Sequence, residues 1–90
     1  MPSPSVSPRI AREDYVAFRI LLRSDPDFPD SFEGWQRLCL RNDAKRVNSG
    51  HTIQEVPITP EEFEEYCRAC GHEGTAAMLL AFAVVKAARA

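Results

Sequence analysis

A chain of 90 residues with a formal net charge of −2 has room for one domain, and it buries only about two-thirds of its unfolded surface. The apolar share of 44% and charged share of 27% are those of a folded globular chain, and they exclude a polyanion-binding tail or a low-complexity segment as its main character. Three cysteines, Cys39, Cys67 and Cys70, are too few and odd in number for a disulfide framework; no leader-like or bilayer-length apolar run is present, so a reducing cytoplasm is expected.

Residues 1–6 are rich in proline and serine and are expected to form a disordered tail ahead of a single helical domain, 7–90. Ser7 followed by Pro8 reads as a cap and first helical position, which opens a helix over about 8–23. Ala11, Tyr15, Phe18, Leu21 and Leu22 share its broad apolar face, with Arg12, Arg19 and Arg23 on the other side. The segment 24–30, SDPDFPD, breaks the period and restarts the chain. Asp30 with Glu33 then reads as a capping box for a second helix, about 31–44, with Phe32, Trp35 and Cys39 on its apolar edge. Arg37, Arg41 and Lys45 form a basic row along it. Asn48-Ser49-Gly50 is a strong stop, and an alternative reading makes 45–47 and 51–53 the arms of a hairpin around it.

Residues 52–58, TIQEVPI, are β-branched enough for a strand that Pro57 confines to an edge. The third helix, 60–70, is the best specified. Thr59 caps it, Pro60 occupies its first position, Glu62 completes a capping box, and Ile58 with Phe63 forms a hydrophobic staple. Phe63, Tyr66, Cys67 and Cys70 give it one apolar face, and Gly71 supplies a left-handed stop. Thr75 caps a last helix, 75–89, in which only Lys86 and Arg89 are charged. Such a helix demands burial all round. Either the other three helices wrap it, or its alanine-rich face, with Ala77, Leu80, Val84 and Ala88, closes on a second copy across a two-fold axis. A mainly α, small four-helix domain with one short extended segment follows, with the homodimer preferred.

The chemistry-bearing residues form no complete constellation. Cys67 and Cys70 make a C-x-x-C, but they lie at a helix C-terminus, where the dipole opposes a thiolate. Cys67, Cys70 and His72, with Cys39 or His51, are the candidate zinc ligands, without a second pair at ligand spacing. Glu61, Glu62, Glu64 and Glu65 read as a solvated acidic face at a helix start. No nucleophile–base order or phosphate-binding glycine loop is present, so neither an enzyme nor a cofactor site is expected. The expected function is a non-enzymatic interaction or assembly module. A small zinc- or thiol-based protein is an alternative.

From Thr52 onward, strand, capped helix, glycine turn and second helix resemble the ribbon-helix-helix family. The residues that carry this are Ile58-Thr59-Pro60, Gly71, Thr75 and Ala77-Met78-Leu79-Leu80. The resemblance implies a dimer whose strands pair antiparallel between chains, with outward strand residues reading bases, as a DNA-binding or antitoxin-type regulator would. Here those residues would be Ile53, Glu55 and Pro57, and a glutamate beside phosphates is repelled, so nucleic acid is not an expected partner.

Overall fold

The computed structural model describes residues 4–89. Strand β1 (Pro4–Arg9) leads through a 3-10 turn, Arg12–Asp14, into helix α1 (Tyr15–Leu21). Helix α2 (Phe32–Asn48), strand β2 (Thr52–Pro57), helix α3 (Pro60–Cys70) and helix α4 (Ala76–Arg89) follow. The chain is mainly helical, as expected. Its centre, however, is a two-stranded parallel sheet, with Pro4 opposite Thr52 and Arg9 opposite Pro57. Helices α2 and α4 each pack against both strands.

The first strand overturns two expectations. Residues 4–6 belong to β1 rather than to a disordered tail, while residues 1–3 of that tail lie outside the described residues. Ser7 and Pro8 lie within the strand instead of starting a helix, and α1 begins only at Tyr15. The ladder's parity gives the reason. The Ile58 N–H donates to the Arg9 carbonyl at 2.9 Å, and Pro8 sits opposite Val56. In a parallel ladder this turns residues 5, 7 and 9 of β1, and 54 and 56 of β2, toward the partner strand. Pro4, Pro8 and Pro57 therefore all fall where the backbone nitrogen points away from the ladder, so none costs a sheet hydrogen bond.

This pairing also separates the chain from the ribbon-helix-helix arrangement, because β2 takes as its ladder partner a parallel strand of its own chain. The hairpin alternative is not formed either: 45–47 belong to α2, and β2 pairs with β1. Helix α2 continues past the expected end at 44 to Asn48, and Gly50 turns the chain at φ 88°. Asp43, which reads as a helix weakener, is instead fixed by an Arg9 ion pair at 2.6 Å. The cap of α2 is Ser31, one residue beyond the expected Asp30; its hydroxyl accepts from the Gly34 N–H at 3.0 Å.

The last two helices match their signals closely. Thr59 accepts from the Glu62 N–H and its hydroxyl donates to the Glu62 carboxylate, Ile58 and Phe63 are both buried, and Gly71 adopts φ 69°. Thr75 accepts from the Met78 N–H, and the Asp25 carboxylate accepts from the Ala76 N–H, so the 24–30 loop helps to start α4. The core gathers around Phe18 and Phe63, both fully buried with ring centroids 5.8 Å apart. Tyr15 stacks on Phe28 at 5.3 Å and donates its hydroxyl to the Pro29 carbonyl. Burial pushes the Tyr15 hydroxyl up to about 12, so it stays a donor through the physiological range.

Candidate functional site

Helix α4 is not wrapped on every side by its own chain. Leu79, Phe82 and Ala83 face the core, whereas Ala77, Leu80, Val84 and Ala88 are exposed, Leu80 at 38% and Val84 at 50%. The central-helix expectation is thereby corrected. The four outward residues, at i, i+3, i+7 and i+11, form a continuous apolar flank because that spacing repeats along one side of a helix. Small side chains at its two ends leave Leu80 and Val84 as the only large groups on it. Beside the flank, a groove of about 300 Å³ runs between α2 and α4, with Leu38, Trp35 and Leu80 among its walls and Ser7 and Asp43 in its lining.

The polar network behind that groove joins three elements. The Arg9 guanidinium donates to Ser7 Oγ at 2.6 Å, to Asp43 at 2.6 Å and to Glu55 at 3.1 Å. Burial works to lower the Arg9 pKa, but the hydrogen bonds from Asp43 and Glu55 outweigh it, so the net shift is upward. Arg46 approaches the other Asp43 oxygen to 4.0 Å and donates to the Val6 carbonyl. That second oxygen, Asp43 Oδ1, is buried without a hydrogen-bond partner among the described residues. The network ties β1 and β2 to α2, which makes it a structural clasp.

The expected basic row, Arg37, Arg41 and Lys45, lies exposed along α2, and among the described residues none of the three is in an ion pair. Arg12, by contrast, pairs with Glu33 and sits over the Phe32 ring at 4.6 Å. The hydrogen bond from Arg12 holds the Glu33 carboxyl below its ordinary range.

The cysteines do not converge. Cys67 is buried, Cys70 and His72 are exposed at the end of α3, and Cys39 lies on α2. Among the described residues no three His, Cys, Asp or Glu side chains come together to hold a metal ion. Burial pushes the Cys67 thiol up, and the charge of Cys70 adds to it; burial likewise raises Cys39. Both shifts favour the neutral thiol over the nucleophilic thiolate.

Four large apolar residues stand further into solvent than Leu80 or Val84, and the sequence reading passes over them. Val16 is 68% exposed and Ile20 59%, on the side of α1 away from Phe18; Leu40 at 63% and Val47 at 56% lie seven apart on one flank of α2. The helical period contained this signal: once Tyr15, Phe18 and Leu22 point inward, Val16 and Ile20 must point out. Leu40 joins Gln36, Arg9 and Glu55 around a cleft of about 190 Å³ between α2 and β2.

No protein-family model, curated protein or solved structure matches the chain. Among the described residues no helix is long and apolar enough to cross a membrane.

Proposed function

We propose that this chain is a small non-enzymatic interaction module that forms a two-fold dimer through α4. The observation that carries the reading is the outward flank Ala77, Leu80, Val84 and Ala88 on a helix whose opposite side is core. In an antiparallel, two-fold contact, alanines at the ends of the flank let the backbones approach while Leu80 and Val84 interdigitate near its middle. Leu80 and Val84 are already about half covered in the single chain, so burying the remainder contributes roughly 1 kcal/mol for each, and the axis counts every residue twice. The basic row on α2 lies outside this contact and stays available to a further partner. The arrangement of the cysteines and the raised Cys67 and Cys39 thiols support a core role for sulfur over a thiol-based activity.

Light scattering on a size-exclusion eluate at micromolar concentration tests the dimer. The expected mass is twice the 10.1 kDa chain, and Leu80→Glu with Val84→Glu returns it to the monomer without loss of helical signal. A native chain that elutes as a monomer overturns the reading.

A further inference from the structure

The two edges of the sheet are treated differently. On the outer edge of β1, Pro4 and Pro8 have no N–H to offer, and the Val6 carbonyl already accepts from Arg46 at 3.2 Å. Prolines and occupied carbonyls blunt an edge against further strands. The outer edge of β2 has this protection only at its end, where Pro57 lacks an N–H and its carbonyl accepts from Lys86. Ahead of Pro57, ladder parity turns the N–H and C=O of Ile53 and Glu55 outward. Among the described residues no hydrogen bond takes them.

Helix α2 stands beside this edge with an unpartnered flank. Its Leu38 and Asn42 side faces α4, whereas Gln36 and Leu40 border the cleft that Glu55 also lines. Val47, seven residues after Leu40, continues that flank, and both side chains are exposed. The flank and the edge share a centre. One Arg9 nitrogen, Nη2, donates to both Asp43 and Glu55, which sets Asp43 of α2 beside Glu55 of β2. Asp43 and Ala44 lie midway between Leu40 and Val47, and Glu55 adjoins Gln54, the midpoint of the open edge. A two-fold axis normal to the sheet through this centre therefore turns both features onto copies of themselves.

We propose that a second copy of the chain closes this edge, β2 against β2 antiparallel, in a four-stranded sheet with both α2 helices on one face. With Gln54 on the axis, Ile53 meets Glu55 of the second copy and exchanges both backbone hydrogen bonds with it. Gln54 meets itself, an amide that both donates and accepts, and Thr52 meets Val56. No like charges face each other in this register, whereas an axis at residue 55 would oppose two glutamates. Two strands at about 4.8 Å each set the helices about 9–10 Å apart, the spacing at which helices pack, with Leu40 against Val47. Each β2 keeps β1 as its other neighbour, so this is not the ribbon of a ribbon-helix-helix dimer. One short edge and two apolar side chains bury less than the roughly 800 Å² per partner of a standard interface. The joint is accordingly weak, forming on the order of hundreds of micromolar. It goes beyond the α4 contact and does not depend on it, since the two surfaces share no residue.

The test isolates this contact in the full chain carrying Leu80→Glu and Val84→Glu, by sedimentation equilibrium from about 20 to about 500 μM. The mass should rise from 10.1 kDa toward twice that value. Ile53→Pro removes an outward N–H and leaves the ladder to β1 intact; it should weaken association about tenfold or more. Leu40→Glu with Val47→Glu should do the same. Val16→Glu with Ile20→Glu, on an equally exposed face of α1, should leave association unchanged. Amide exchange on the native chain needs no variant. Ile53 and Glu55 should slow about twofold or more across those concentrations, while Gln54 and Val56, bonded to β1, stay slow throughout. A mass of 10.1 kDa throughout overturns the proposal, as does association that survives Ile53→Pro or is lost with the α1 pair. So does exchange at Ile53 and Glu55 that ignores concentration, which would leave the edge to a strand of another protein.

Discussion

Arg9 makes contacts that no local pattern announces. It reaches Asp43, 34 residues away, and Glu55, 46 away, and the charge of each is unremarkable in its own segment. Asp43 reads from sequence as a poor helix residue, yet its side chain is 14% exposed and carries the ion pair that joins strand to helix. Removing one member of a largely buried pair leaves the other charge uncompensated, so Asp43→Ala should destabilise by about 2–4 kcal/mol in urea unfolding. The exposed pair Arg68–Glu64 is a built-in comparison, and Glu64→Ala should cost no more than about 0.5 kcal/mol. Glu62 gives a pH signature. Burial works to raise its pKa, but hydrogen bonds from Lys86 and Thr59 prevail and hold it below the ordinary 4.5. The unfolded chain then takes up this proton first as the solution is acidified. The contribution of Glu62 is therefore complete above about pH 4.5 and is lost as pH falls through its lower folded value. Thermal melts of the native chain and Glu62→Gln should differ at pH 6 and draw together as the pH falls below about 4.5.

Among the elements, α3 was readable from end to end because every device that defines it is local. Its cap, first-position proline, staple and left-handed stop lie within the stretch Ile58 to Gly71. Thr59→Ala should cost about 1 kcal/mol, measured by urea titration. Gly74 shows what local reading misses. A Cβ there would lie 2.4 Å from the Leu21 carbonyl oxygen, a backbone atom that cannot swing aside. Gly74→Ala should therefore destabilise more than Gly71→Ala, whose Cβ meets open space and whose penalty of about 1 kcal/mol is conformational. Strand β1 was illegible for the opposite reason. Proline and serine argue against a strand unless the partner and register are known, and only the register shows that Pro4 and Pro8 fall on the free edge. The α4 flank was legible in its residues, since periodicity alone groups Ala77, Leu80, Val84 and Ala88.

For the molecule as a whole, the sheet is what converts four helices into one unit. Helices α2 and α4 meet the two strands, and α1 meets α3 through the Phe18–Phe63 contact. A chain without residues 1–9 would lose the β1 ladder and the Arg9 clasp together, and its thermal transition should become broad and non-cooperative by circular dichroism. The parallel pairing also sets an order of events during synthesis. Strand β1 leaves the ribosome before its partner, which lies beyond residues 10–51, a stretch that takes seconds to add at about 5–20 residues per second. Throughout that interval the β1 segment is an unclaimed ligand, and whatever handles the nascent polypeptide meets it before its own fold does.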